Sequence, residues 1–147
     1  MKRLEARDIK DMNLLKHYRI IRKWACKNNN LNDADLELLI YLDCIGLFSK
    51  RDFEMGSYSY SWDNRRWNRL LKEEWIVVFK TREQEGRYNV YQVSFKCKQL
   101  IQRVYRIMLG EEDIPTSKRR NKIMKGGSYI DKVLITSIKN VNKDKER

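Results

Sequence analysis

Apolar residues along this chain recur first at helical spacing, then in alternation, then at helical spacing again. Leu14, Tyr18, Ile21 and Ala25, flanked by Leu15 and Trp24, repeat with the helical period, while Lys16, Arg19, Arg22 and Lys23 fill the gaps. The pattern predicts one amphipathic helix of several turns that starts before Met12 and ends at Asn28-Asn29-Asn30. Asparagine competes for backbone hydrogen bonds and tolerates the left-handed conformation, so it stops helices well. Asn32 reads as the cap of a second helix, with Asp33 and Asp35 in its positive first turn. Its predicted buried stripe is Leu36, Leu39, Ile40, Cys44 and Leu47, and Gly46 marks its end. Ser49 and Asp52 have the spacing of a reciprocal cap, which predicts a short third helix reaching Gly56. The turn Ser57-Tyr58-Ser59-Tyr60-Ser61 follows, with Ser61 opening a fourth helix from Trp62 to Glu74.

The period then changes. Trp75-Ile76-Val77-Val78-Phe79-Lys80 is rich in β-forming residues, and Thr81 to Gly86 is a polar turn. Arg87 to Val93 returns as a partner strand, with Tyr91 and Val93 on one face and Tyr88 and Val90 on the other. Ser94 caps a fifth helix with Cys97, Ile101, Val104 and Met108 along one edge and Leu100, Tyr105 and Leu109 beside it. Gly110 to Pro115 stops it. Thr116 to Gly127 carries Lys118, Arg119, Arg120, Lys122 and Lys125 and no acid, which suits either a phosphate clamp or a solvated loop. Tyr129, Ile130, Val133, Leu134 and Ile138 predict a short last helix before a polar, frayed tail from Asn140.

Composition narrows the partners. The 147 residues suit one domain with appended arms, and 41% hydrophobic content can fill a core. Lys and Arg number 32 against 20 Asp and Glu, a formal charge of +12, which attracts polyanions. Nucleic acid fits that charge better than a membrane surface or an acidic protein, and solubility is the bland reading. Cys26, Cys44 and Cys97 form no Cys-x-x-Cys pair, and His17 completes no familiar zinc spacing with them. They read as buried free thiols in a reducing cytoplasm. With no apolar signal core at Met1 to Asp8 and no apolar run of membrane length, a soluble cytoplasmic protein is expected. No nucleophilic triad, phosphate-binding glycine loop or carboxylate pair points to catalysis, and no residue pattern points to a metal or cofactor.

Helix, helix, short helix, helix, hairpin and long helix is the order of a winged helix-turn-helix, a mainly α fold with a small β-hairpin wing. In the fourth helix Trp67, Leu70 and Leu71 converge on one side, opposite Arg65, Asn68, Arg69 and Lys72. Arginine matches guanine, asparagine matches adenine and lysine meets phosphate, although such a face also suits plain solvation. Asn64 either caps the helix or touches base edges. Tyr58 and Tyr60 are candidates for phosphate contact through their hydroxyls, and Arg82 and Arg87 for contact from the wing. Trp67 reads as core, and Trp75 as packing beneath the wing.

These residues resemble the MarR-type winged-helix family. The resemblance rests on Leu36 to Leu42, Ser49-Lys50-Arg51-Asp52-Phe53, Arg69-Leu70-Leu71-Lys72-Glu73-Glu74-Trp75-Ile76, Glu85-Gly86-Arg87, and Tyr91-Gln92-Val93-Ser94 with Lys96. It spans about Leu31 to Leu109. Glu85 stands where the family has a wing aspartate, and Glu74-Trp75 where a glycine–hydrophobic pair is common. The turn before the fourth helix is unusually aromatic. The resemblance implies a homodimeric transcriptional regulator that binds double-stranded DNA with sequence preference. In it residues 1–30 and 95–147 dimerise, and residues 31–94 form the DNA-binding core. Arg65, Asn68 and Arg69 would read bases in the major groove, and Arg87 would hold the minor groove or backbone. Many members sense small ligands at the dimer seam, and no residue here identifies one. The rival reading is a winged-helix module for protein assembly without a specific operator.

Overall fold

The computed structural model describes residues 3–13, 15–56, 64–81 and 89–144. Within them the chain forms α1 (Ala6–Met12), α2 (Tyr18–Asn29), α3 (Asp33–Ile45), α4 (Lys50–Gly56), α5 (Asn64–Lys72), β1 (Ile76–Lys80), β2 (Val90–Val93) and α6 (Phe95–Met108). A short 3₁₀ turn (Lys122–Lys125) and α7 (Tyr129–Lys143) complete it. The chain packs as two units, one of Asn32–Gln102 and one joining Met1–Leu31 to Arg103–Arg147.

In the first unit the caps predicted at Asn32 and Ser49 form, and Ser61, predicted to open the fourth helix, lies outside the described residues. Asn32 Oδ1 accepts from the Asp35 amide at 2.8 Å while Asp35 Oδ2 accepts from the Asn32 amide at 3.1 Å. Ser49 and Asp52 make the same reciprocal cap before α4. Strands β1 and β2 pair antiparallel with Ile76 opposite Val93, and the register shifts between Val78 and Lys80. A third extended position, which the sequence pattern does not reveal, joins them. Phe48, between α3 and α4, exchanges two backbone hydrogen bonds with Tyr91 at 2.9 and 2.8 Å. A single bridging residue has no periodicity to detect, but it ties the helix-turn-helix to the wing. Helix, helix, helix and hairpin in this order make the unit a winged helix-turn-helix.

Its core is built from Leu36, Leu39 and Leu42 of α3, Phe53 of α4, Trp67 and Leu70 of α5, Ile76, Val93, and Cys97 and Ile101 of α6. The Trp67 ring meets Phe53 and Tyr91 edge-on, each at 4.8 Å between centroids, an arrangement favoured by the ring quadrupoles. Cys44 and Leu47, expected on the buried stripe, are exposed. Cys44 lies two residues past Leu42, about 200° around the helix, and therefore faces away from the core.

In the other unit the single predicted first helix is two helices. Asn13 adopts a left-handed conformation (φ 47°), and its amide donates to the Lys10 carbonyl, which closes α1 before α2 begins. Helix α1 buries nothing, whereas α2 buries Ile20, Ile21, Trp24, Ala25 and Cys26. Leu109, expected beside the buried edge of α6, is exposed, and Ile107 fills the core instead. The last helix is longer than predicted. Ser128 and Asp131 cap it reciprocally, and it runs to Lys143 with Ile138 and Val141 buried. Asn142, expected in a frayed tail, clasps both backbone groups of Ile114 at 2.8 and 3.0 Å. A contact between residues 28 positions apart leaves no trace in local pattern.

Three helices close alike. Asn30 (φ 55°), Glu74 (φ 61°) and Gly110 (φ 81°) each follow a helix in left-handed backbone, and the amide of the next residue reaches back five positions to Cys26, Leu70 or Arg106. This is the Schellman closure, in which glycine is the unstrained residue. Glu74, where the family resemblance sets a glycine, occupies that position.

Candidate nucleic-acid interface

Helix α5 is held by the apolar side of its own sequence. Trp67 and Leu70 are buried, and its end is sealed when the Trp75 amide donates to Leu70 at 2.9 Å. Trp75 is buried, with Lys96 Nζ 4.2 Å from the centroid of its ring. Lys96 also donates to the Glu73 carbonyl, so one side chain joins α6 to the end of α5.

The remaining side of α5 divides in two. Arg65, Asn68 and Lys72 are exposed, and at 100° per residue they fall within about 60° of one another. Among the described residues, none of the three makes an ion pair or a side-chain hydrogen bond. Asn64 is also exposed at the start of the helix. Arg69, grouped with them from sequence, has an internal partner. One of its terminal nitrogens donates to both Asp35 oxygens at 2.8 Å, and Arg66 Nε donates to Asp35 Oδ1 at 3.0 Å. Asp35 is 0% exposed, while the Arg66 and Arg69 side chains keep 21% and 36% of their surface.

Asp35 thus closes the capping box of α3 and receives two guanidinium groups from α5. Buried carboxylates are tolerated only when charge and hydrogen bonds compensate them, and here donors from three residues converge. Sequence reading places Asp35 in a favourable first turn and stops there, because the cap alone already explains an acid at that position. Arg66 carries no such signal either, because its position falls between the core side and the solvent stripe of the helix. Tyr58, Tyr60, Arg82 and Arg87 lie outside the described residues.

Electrostatics separates the two units. Residues 32–102 contain 11 basic and 11 acidic side chains, so the winged-helix unit carries no formal charge. Residues 1–31 and 103–147 contain 21 basic and 9 acidic side chains, the whole excess of twelve. Glu112 shows how acids of that unit are used. Partial desolvation works to raise its pKa, but hydrogen bonds from Arg103 (2.8 Å) and then Arg106 (3.0 Å) outweigh it and hold the carboxyl below its ordinary value. Asp131 is held low first by its hydrogen bond with Ser128, then by Lys27 at 3.1 Å. Asp144 receives Lys16 at 2.8 Å and His17 at 2.7 Å.

Burial pushes the Cys97 thiol up to about 12, with Asp43 adding to the effect, so at neutral pH it is protonated and a poor nucleophile. Among the described residues no three His, Cys, Asp or Glu side chains gather as a metal site, and no helix is long and apolar enough to cross a membrane.

Fold and site together define a winged helix-turn-helix with one polar stripe on its third helix. No protein-family model matches the sequence, and no curated protein matches it. The structure is similar to that of wild-type MarR from E. coli in its apo form, at 12% identity and a TM-score of 0.42, covering 76% of this chain and 88% of that one. It is also similar to a cysteine-to-serine mutant of MarR from E. coli complexed with operator DNA, at 14% identity and a TM-score of 0.42, covering 70% of this chain and 78% of that one.

Proposed function

We propose that this chain is a sequence-preferring, double-stranded-DNA-binding regulator of the MarR type, acting as a homodimer. The observation that carries the reading is the free stripe of Arg65, Asn68 and Lys72 on α5, beside a hairpin and opposite a locked core. Arg65 and Asn68 have the donors and acceptors for guanine and adenine edges, and Lys72 suits phosphate. Arg69 reads bases only if it leaves Asp35, so its first task is to orient the helix. Asn64 contacts a base edge or phosphate at the helix start. Tyr58 and Tyr60 contact phosphate before the helix, and Arg82 and Arg87 do so from the wing. A second copy of the chain covers the apolar residues left open on the flanking helices, Ile9 and Met12 of α1 and Tyr129, Ile130 and Val133 of α7. Tyr129, at 81% exposure, is the largest of them.

Selection of bound sites from a random duplex pool tests this directly, and a palindromic consensus is the expected result. Arg65→Ala should then weaken binding to that site by about 1–3 kcal/mol and relax base choice at one position. An equal loss on every sequence would assign Arg65 to phosphate. The neutral charge of the winged-helix unit favours a second reading, a protein-assembly module without an operator. That reading gains if selection returns no consensus.

A further inference from the structure

The charge excess of this protein lies outside its winged helix, and one segment concentrates it. Lys118, Arg119, Arg120, Lys122 and Lys125 lie within eight consecutive positions, with no acid between Thr116 and Gly127. All five are exposed. No ion pair among the described residues involves them, whereas Glu112 is engaged by Arg103 and Arg106, Asp131 by Lys27, and Asp144 by Lys16 and His17.

The segment is built rather than merely solvated. Asn121, 0% exposed, donates to the Pro115 carbonyl at 2.7 Å and accepts from the Ile123 amide at 3.0 Å. From α2, Asn28 donates to the Arg120 carbonyl at 2.9 Å and accepts from the Lys122 amide at 2.9 Å. Ile114, Ile123 and Met124 are buried beneath it. Backbone groups on either side of the cationic side chains are thus anchored inward, which leaves the cations to fan outward from a fixed base. Such a base lowers the ordering cost of binding a polyanion.

We infer that residues 116–127 form a second contact surface, which binds the phosphate backbone of duplex DNA without reading its sequence. This rests on the proposal that the chain binds DNA, but it assigns the phosphate affinity to a unit other than the one carrying α5. Duplex fits better than an anionic membrane because the apolar residues of the loop, Ile123 and Met124, point inward and leave nothing to insert among lipid chains.

The test uses the full chain and a random-sequence duplex. The slope of log K against log[salt] changes by about 0.9 for each phosphate contact. Replacing the five cations by glutamine (Lys118→Gln, Arg119→Gln, Arg120→Gln, Lys122→Gln, Lys125→Gln) should make the slope shallower by about 2–4. Losing three contacts would cut the affinity change between 50 and 200 mM salt by about 40-fold. A charge-matched control neutralises five other exposed cations, Lys10, Arg19, Lys132, Lys139 and Lys143, and should shift the slope by less than half as much. A third variant that exchanges each loop lysine for arginine and each arginine for lysine should keep the wild-type slope.

An unchanged slope in the loop variant, or an equal change in the control, would overturn the inference. So would loss of binding to phosphatidylserine vesicles with duplex binding intact. Circular dichroism establishes that each variant is folded. Failure of the α5 reading looks different: Arg65→Ala with Asn68→Ala would leave sequence preference untouched while the loop variant still weakened binding to random duplex.

Discussion

Replacing Asp35 by asparagine preserves its volume but removes the charge that gathers Arg66 and Arg69. The native carboxylate accepts from Arg66 at 3.0 Å, from Arg69 at 2.8 Å on each oxygen, and from the Asn32 amide at 3.1 Å. Hydrogen bonds to charged groups contribute about 1.5–3 kcal/mol each, and breaking a wholly buried ion pair costs about 3–5 kcal/mol. Both arginines retain solvent access and can rehydrate once released, so the lower part of each range applies. The asparagine amide would also meet a guanidinium donor to donor. Asp35→Asn should therefore cost about 2–3 kcal/mol. Urea unfolding followed by fluorescence of the buried Trp67 and Trp75 measures it. Arg69→Ala measured alone and in the Asp35→Asn background should be non-additive by about 1 kcal/mol or more, as groups sharing one partner are. If α5 is oriented by this contact, folded Asp35→Asn protein should also lose preference for its selected site. A cost below about 0.5 kcal/mol, or strict additivity, would refute the clamp.

Glu74→Gly should stabilise the protein by about 0.5–1 kcal/mol, because glutamate carries a left-handed penalty at φ 61° that exceeds the entropy glycine adds to the unfolded chain; a lower urea midpoint would contradict it. Gly126→Ala should destabilise α7 by about 1–2 kcal/mol. A Cβ there would collide with the Asp131 carboxylate and dislodge it from Ser128 and Lys27, which early amide exchange at the start of the helix would report. Glu112 and Asp131 have folded pKa values below their ordinary ones, so each stabilises the native state above its unfolded pKa, and that contribution is lost as pH falls through the lowered value. Glu112→Gln should accordingly flatten the acid limb of a stability–pH profile, and an unaltered limb would count against the Arg103–Glu112–Arg106 cluster. Native alkylation should label Cys44 and spare Cys26 and Cys97, read by mass spectrometry as one adduct rather than three.

Much of this fold is written locally. Asn32 with Asp35, Ser49 with Asp52, and Gly46 and Asn30 at helix ends act through neighbours three to five positions away, so type and spacing suffice to foresee them. The hairpin was legible because β-rich runs flank a polar turn, and Trp67 was legible as core because Leu70 shares its side of the helix. On α5 the same periodicity separates Arg65, Asn68 and Lys72 from the apolar side.

Long-range geometry decided the rest. Whether a given arginine faces solvent or a buried acid depends on how α3 packs against α5, and Asp35 and Arg69 are 34 positions apart. Asn13 breaks what periodicity alone would join, Asn142 holds the final helix through Ile114, and Phe48 meets Tyr91 across the chain. Net charge was visible from composition, but its complete segregation away from the winged helix appeared only when the chain's two ends were seen to pack as one unit. Local pattern fixes which side of an element is apolar, and packing alone determines which polar groups that side's neighbours engage.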